Sequence, residues 1–329
     1  MRTFFLFILL IGGLTSFIKK PDPVSIIFDT DIAPDYDDIG ALAMLHAFAD
    51  KGEAEILATI SCNVFKTTVP TLSVINTYFN RPGIPIGITK ATKPYHPCER
   101  LYAEHIIASY PHTVKSNDEA MDAVKLYRKM LSSQPDKSVT IVTVGFFTNL
   151  ANLLDSSPDE YSSFSGQQLV AKKVKQLVAM AGGLDSLGNN GYEFNVMADI
   201  PASQKVFNNW PTPITLTGLE IGIKIFTGIP LINNDKIQNS PVKDAYRISL
   251  MHDKSKEGRY SWDQTAVLIA VRGIKPYFNY RRLNFAIQDD GKNVVLPGNK
   301  ISYISFNQAP EQVGKVIEEL MMHSPGRTE

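Results

Sequence analysis

Val24-Ser-Ile-Ile-Phe-Asp-Thr-Asp-Ile-Ala-Pro-Asp-Tyr-Asp-Asp-Ile-Gly-Ala-Leu42 joins a short apolar run, five aspartates and the opening of a second apolar run. The first run, residues 24–28, is rich in β-branched side chains and nearly continuous in hydrophobicity, as a strand buried on both faces requires. The second, residues 39–49, places its apolar residues at helical spacing. Between them, Asp29, Asp31, Asp35, Asp37 and Asp38 set five carboxylates within ten residues. Such charges repel one another unless a cation sits among them. Asp37 and Asp38 fall at the expected helix start, where the helix dipole and free N–H groups favour carboxylates. Oxygen-only donors favour Ca2+ or Mg2+ over a softer metal. The competing reading is a solvated acidic loop with a helix cap; the position between a buried strand and an apolar helix favours the metal.

Working outward, short apolar runs recur at residues 55–61, 84–88, 139–144, 176–181 and 214–217, each ending near turn or polar residues. Helical patterns separate most of them, at 69–79, 103–110, 118–131, 149–154 and 202–210. This alternation predicts an α/β fold with a mostly parallel central sheet flanked by helices. Ligands of such sheets bind beyond the carboxyl ends of the strands. Residues 229–261 are mixed polar and read as a small helical excursion over that end. A helix resumes at 263–272. Two alternating segments within 280–306, interrupted by Asp289-Asp290-Gly291 and Pro297-Gly298-Asn299, predict a small antiparallel extension near the C-terminus. Residues 311–322 close the chain as a helix. No internal repeat appears, and a single domain over 21–329 is the simpler reading.

Lys+Arg and Asp+Glu are both 33, so the net charge is +0. That balance argues against a nucleic-acid partner, which calls for a basic surface. Residues 1–20 carry Arg2, an apolar stretch from Phe4 to Leu14, then Thr15, Ser16 and two lysines, the pattern of a secretory signal peptide. The stretch is short of the ~20 residues that span a bilayer, so the expectation is an exported protein, periplasmic or secreted, with no stable membrane span after processing. A retained N-terminal anchor is the alternative. Cys62 and Cys98 are the only cysteines; Cys62 ends an apolar run and reads as a buried thiol.

Further polar residues mark the ends of later runs: Asn63 after Ile60-Ser-Cys, the turn and helix start of Val142-Thr-Val-Gly-Phe-Phe-Thr-Asn-Leu-Ala151, then Gly191-Tyr-Glu-Phe-Asn-Val196, and Ser261-Trp-Asp-Gln-Thr-Ala-Val267. With these in order, the chain resembles the nucleoside hydrolase family of the inosine–uridine-preferring type, from Val24 to about Gly273. That family opens with D-x-D-x-x-x-D-D-A-x-A-L, then carries a glycine turn before T-N-(L/I)-A, an E-F-N segment and an aspartate opening a late helix. Ala33 stands where several phosphatase families that open with D-x-D have Thr or Val, which weighs against a metal-dependent phosphatase, the third reading. Two departures from the pattern stand out. Asp31 and Asp37 are six positions apart where four is commoner, so the loop holds two extra residues. Trp262 stands where many members have a histidine that protonates the leaving base.

The resemblance implies Ca2+-dependent hydrolysis of the N-glycosidic bond of ribonucleosides, releasing base and ribose. Asp31, Asp38, Asp263 and the Val144 carbonyl would hold the ion, with Asp31 taking a proton from water. Asp37, Asn63, Asn189, Glu193 and Asn195 would grip the sugar. Trp262 would stack on the base, as in purine-preferring members, and His96 is a base-side candidate whose alternative is an ordinary surface-loop histidine. Tyr95, Tyr192 and His252 are further candidates for the pocket wall. Asp29 reads as a support behind the site, and Asp35 is the alternative to Asp37 on the sugar side, Asp37 being favoured because Ile39-Gly-Ala-Leu42 continues the family's helix in register. The resemblance leaves a homo-oligomer, dimer or tetramer, open. The different-class alternative is a nucleoside- or sugar-binding protein on the same fold without turnover.

Overall fold

The computed structural model describes residues 22–184 and 191–326. The signal-peptide reading of residues 1–20 and the assignment of Asn189 lie outside the described residues. Among the described residues the strands are, in order, β1 (Val24–Thr30), β2 (Ala54–Ser61), β3 (Ile86–Ile88), β4 (Met121–Asp122), β5 (Val139–Thr143), β6 (Val174–Met180), β7 (Ile214–Thr217), β8 (Phe226–Thr227), β9 (Arg259–Tyr260), β10 (Phe278–Ile287) and β11 (Asn293–Phe306). The helices are α1 (Asp37–Asp50), α2 (Thr68–Tyr78), α3 (Tyr102–Ser109), α4 (Ala123–Ser133), α5 (Thr148–Asp155), α6 (Gly166–Lys173), α7 (Phe194–Ala198), α8 (Ile200–Asn209), α9 (Leu219–Gly222), α10 (Ile229–Ile232), α11 (Pro241–Asp253), α12 (Trp262–Arg272) and α13 (Pro310–Met321). None of these helices is long and apolar enough to cross a membrane.

Nine strands form one sheet in the order β10-β11-β7-β6-β5-β1-β2-β3-β4. Every neighbouring pair is parallel except the hairpin of β10 and β11. The expected α/β architecture and its antiparallel extension are therefore what the chain forms. β1 lies between β2 and β5, so the chain builds one half of the sheet to one side of β1 and the other half to the other side. Its carboxyl end is a topological switch point, where a crevice opens between loops leading in opposite directions. Ile26 and Phe28 enter the core on one face and Ile27 enters the core on the other. Burial on both faces is why this strand has no polar alternation.

The helices cover the sheet unequally around this point. α1 is buried continuously from Asp37 to Phe48 and packs on α12 and α13. A helix with no solvent face needs small residues where neighbours approach, and a Cβ on Gly40 would meet the Tyr246 hydroxyl at 2.4 Å. Two expectations shift in detail. The helix read at 118–131 starts later, because Asp122 in β4 caps α4 by accepting from the Lys125 N–H at 2.9 Å. α6 was not foreseen; Ser165 and Gln168 form a reciprocal capping box that starts it. Cys62 and Cys98 are both buried and free.

The ends of β1 and β5 approach so closely that one glycine between them is obligatory. The Val144 N–H donates to the Asp29 carbonyl at 2.8 Å, extending the ladder past β5. The next residue is Gly145, where an added Cβ would lie 2.5 Å from the Asp31 nitrogen and 2.7 Å from Cys62 Sγ. Backbone cannot move aside as a side-chain tip can. Gly145→Ala is expected to destabilise the protein by about 1–3 kcal/mol, read as a lower urea midpoint; an unchanged midpoint would show that the junction has slack.

Candidate active site

Beyond the carboxyl ends of β1, β5 and β6 lies an open cavity of about 480 Å3, lined by Asp31, Asp35, Asp37, Asp38, Val144, Met180, Glu193, Phe194, Asn195, Leu219, Trp262 and Asp263. Asp31 follows β1, Val144 follows β5, and Met180 ends β6. Asp37 and Asp38 stand in the first turn of α1 and Asp263 in the first turn of α12. Two helix N-termini thus point their partial positive charge at the same acidic cluster.

The carboxylates are dry and close. Ligand oxygens of Asp37, Asp38 and Asp263 lie within 4.8 Å of one another. Asp31 lines the same cavity but is not part of that triad. Burial, then the charges of Asp38, Asp35 and Asp37, push the Asp31 carboxyl well above its ordinary range. Burial followed by the Asp37 charge does the same to Asp38, and burial followed by Asp37, Asp38 and Asp31 does so to Asp263. Among the described residues no cationic side chain pairs with Asp31, Asp38 or Asp263. A divalent cation satisfies such a set, and carboxylates with one backbone carbonyl are the donors that Ca2+ and Mg2+ accept. The donor set therefore fits a hard metal ion.

Support for the cluster comes from residues one step back. The Thr30 hydroxyl donates to Asp38 Oδ1 and accepts from the Ile32 N–H at 3.1 Å, which fixes the carboxylate's direction. Asp29 points away from the cavity. Its Oδ2 accepts from the Tyr127 hydroxyl at 2.8 Å and from Asn149 Nδ2 at 3.0 Å, and burial raises its carboxyl to about 7. Asp35 answers the question that the sequence left open. It receives Arg259 Nη2 at 2.7 Å and Arg100 Nη1 at 3.2 Å. Arg259 also pairs with Asp37, through Nε at 3.1 Å and Nη2 at 3.0 Å, both on Oδ1. Burial alone would lower the guanidinium's pKa; the Asp37 and Asp35 charges outweigh it and hold the value above the ordinary one. Ala33, within the expanded loop, has φ of 143°, where a Cβ is strained.

Several assignments change on contact with the structure. Asn63 was expected to bond the sugar. Its side chain is instead committed to backbone: Nδ2 donates to the Asp31 carbonyl at 3.0 Å and the His96 carbonyl at 2.8 Å, and Oδ1 accepts from the N–H groups of Phe65 and His96. It ties the Asp31 loop to the His96 loop and has no polar atom left for a ligand. Glu193 lines the cavity but also caps α7, accepting from the N–H groups of Asn195, Val196 and Gly182 at 2.8, 3.1 and 3.3 Å. Asn195 Nδ2 donates to the Val144 carbonyl at 3.1 Å and to the Met180 carbonyl at 3.2 Å, so it holds the β5 and β6 ends together under the cavity. Trp262 forms part of the wall, its Nε1 anchored on the Leu219 carbonyl at 2.8 Å.

The His96 ring does not line the cavity. It lies against Phe146 and Phe194, with ring centroids 5.0 and 5.1 Å away, and burial lowers its pKa. Tyr95, Tyr192 and His252 are also outside the lining. Tyr95 meets the Phe65 edge, Tyr192 donates to Asp290 and His252 pairs with Asp253. The sequence reading passed over Phe194, Leu219 and Met180 as wall residues, because isolated apolar residues carry no local mark of facing a cavity. Arg259 was missed too, although an arginine three residues before the late Trp262-Asp263 pair was a usable signal.

The profile of the family described as "Inosine-uridine preferring nucleoside hydrolase" matches residues 26–319. The pyrimidine-specific ribonucleoside hydrolase RihA of Salmonella agona (strain SL483) is 34% identical over 214 residues, 60% of this chain and 60% of that protein. This chain thus spans about 60% of the length of the curated relatives it matches. Among solved structures, a purine-preferring ribonucleoside hydrolase from Gardnerella vaginalis superposes with a TM-score of 0.69 at 17% identity, covering 91% of this chain and 99% of that one. An inosine–uridine preferring nucleoside hydrolase from Bacillus anthracis gives 0.67 at 16% identity over the same shares. At these identities the structural likeness speaks for the fold.

Two predictions follow from the geometry. Thr30→Val keeps the shape but removes the hydroxyl that aims Asp38, and should weaken divalent-cation binding, measured by calorimetry with Ca2+ and with Mg2+, by ~10–100-fold; equal affinity would remove Thr30 from the support. Burial raises the Glu193 carboxyl from 4.5 to about 7 against the pull of its backbone donors. The folded chain then binds that proton more tightly than the unfolded chain. This group's contribution to stability is full below about pH 4.5 and declines as pH rises through about 7. Glu193→Gln should flatten that decline in melts of chelator-treated protein; a parallel curve would count against it.

Proposed function

Because this chain belongs to the inosine–uridine preferring nucleoside hydrolase family, we propose that it hydrolyses the N-glycosidic bond of ribonucleosides, preferring purines, with Ca2+ as its metal. The observation that carries this reading is the cavity itself: three buried carboxylates that no cationic side chain among the described residues pairs with share it with the apolar side chains of Trp262, Leu219, Phe194 and Met180. One side suits a metal and a hydroxylated sugar, the other a flat base. Asp31, Asp38, Asp263 and the Val144 carbonyl would hold the ion. When bound, such an ion acidifies a water and fixes its direction. Asp31 would take a proton from the attacking water as its oxygen bonds to the anomeric carbon and the C–N bond breaks, the departing base taking its proton from solvent. Asp37 accepts from the ribose hydroxyls, and the surrounding carboxylates stabilise positive charge developing on the ring.

On the leaving side, Trp262 offers its face to the base. His96 does not line the cavity; its ring packs on Phe194 and supports the base side only through that side chain. Purine preference rests on the Trp262 wall. The RihA relatives are named as pyrimidine-specific and the Gardnerella vaginalis protein as purine-preferring, so names alone do not choose. The reading also includes export through residues 1–20.

Purified protein incubated with inosine, guanosine, adenosine, uridine and cytidine, with Ca2+ and after chelation, provides the test through release of reducing sugar. Purine turnover that is lost on chelation and restored by Ca2+ is expected. Trp262→Ala should lower kcat/KM on purine nucleosides by ~10-fold. Faster pyrimidine turnover would end the preference, and binding without release of any base would favour a non-catalytic binding protein.

A further inference from the structure

Arg259 stands behind the cavity wall, paired with two of its lining carboxylates, Asp35 and Asp37. It lies on β9, which pairs with β8 in a two-stranded sheet apart from the main one. Its side chain is 11% exposed. Both of its contacts to Asp37 fall on Oδ1, and Asp37 lines the cavity. Its guanidinium carbon lies 5.0 Å from the centre of the Trp262 ring and 5.1 Å from that of Tyr36. The same Nη2 reaches Asp35 at 2.7 Å. The same Asp35 oxygen also receives Arg100, whose Nε reaches Asp253 at 2.8 Å. The Arg100 guanidinium also lies 5.4 Å from the Tyr36 ring.

We propose that Arg259 is a positioning residue that aims Asp37 at the sugar and backs the Trp262 ring, and that the two-residue expansion of the loop between β1 and α1 serves to bracket it. Three features separate this from an ordinary structural ion pair. Its partner is a cavity-lining carboxylate whose other oxygen remains for a ligand. The guanidinium packs on the aromatic wall where the base would lie. The bracket, Asp35 with Tyr36, comes from the stretch where the loop is longer than the family pattern. A planar guanidinium can contact two carboxylates and stack on a ring at once; an ammonium cannot. Arg259 therefore links the sugar side of the cavity to the base side. The inference rests on the nucleoside hydrolase reading for the identity of the ligand, and on geometry for the link.

The test uses the full chain with Ca2+ present and two readouts: kcat/KM for inosine, and the dissociation constant of D-ribose by calorimetry. Arg259→Ala, Asp37→Asn and the double variant form a cycle, with circular dichroism and melting curves as the check of folding. Arg259→Ala is expected to weaken both readouts by ~10–100-fold, the scale of a misplaced binding group. In the Asp37→Asn background it should cost less than ~3-fold more, because the two act as one unit. Arg259→Lys should recover little. If Arg259→Ala does not fold, Asp35→Asn loosens the bracket from a more exposed position and should weaken ribose binding in the same sense. Additive losses, or unchanged ribose affinity in Arg259→Ala, would overturn the proposal. Wild-type protein that binds ribose but releases no base would instead sink the hydrolase reading, while the ribose cycle still decides Arg259. No ribose affinity in the wild type would overturn both.

Discussion

Several negative charges in a dry crevice are the constraint around which this structure is arranged. Asp31, Asp37, Asp38 and Asp263 are each at most 5% exposed, and burial opposes ionisation of every one. Isolated, each would cost several kcal/mol in a low-dielectric site. The fold answers with three devices of different range. The N-termini of α1 and α12 supply partial positive charge along their axes. Thr30 supplies a hydrogen bond to a single oxygen. Arg259 supplies a full charge, which it divides between Asp37 and Asp35. What remains is a trio of carboxylates that a hard divalent ion matches in charge and donor type.

This division of labour explains why residues so alike in sequence behave so differently. Asp29 and Asp31 are two positions apart on one strand and its extension. A continued strand would keep both on one face, but β1 ends at Thr30: Asp29, still in the strand, turns back to Tyr127 and Asn149, and Asp31, beyond its end, lines the cavity. Asp35 and Asp37 share one arginine, yet only Asp37 sits at a helix start. Asn63, which looks like a ligand-binding residue at a strand end, is spent on backbone groups of two loops. Its removal from the direct contacts leaves it holding Asp31 and His96 in mutual register, a role that spacing along the chain does not announce.

Most of the sheet was legible because buried parallel strands advertise themselves. Residues 24–28, 139–144 and 214–217 are largely apolar or β-branched, are buried nearly throughout, and are each flanked by turn residues. The helices at 202–210 and 263–272 carry plain amphipathic or apolar periodicity. Less was visible where a local cap overrode periodicity, as with Asp122 at α4, or where elements were only a turn long, as with α7 and α9. Residues of the wall were the least visible. Phe194, Leu219 and Met180 belong to three separate elements, and nothing in their neighbourhoods distinguishes a cavity-facing apolar side chain from a core one.

By itself the sequence determined the fold class, the end of the sheet where chemistry gathers and the acidic character of that place. These depend on local physics: hydrophobic period, helix-start preference and the repulsion of crowded carboxylates. Only the tertiary structure decided which carboxylates would be left without a protein cation. That outcome depends on Arg259, 222 residues beyond Asp37, and on Arg100 reaching across from another loop. Electrostatic pairing is set by distance in space, and a linear pattern carries no measure of it. The strand, the loop and the helix could be read from residues 24–42; the sorting of their charges required the rest of the chain to fold around them.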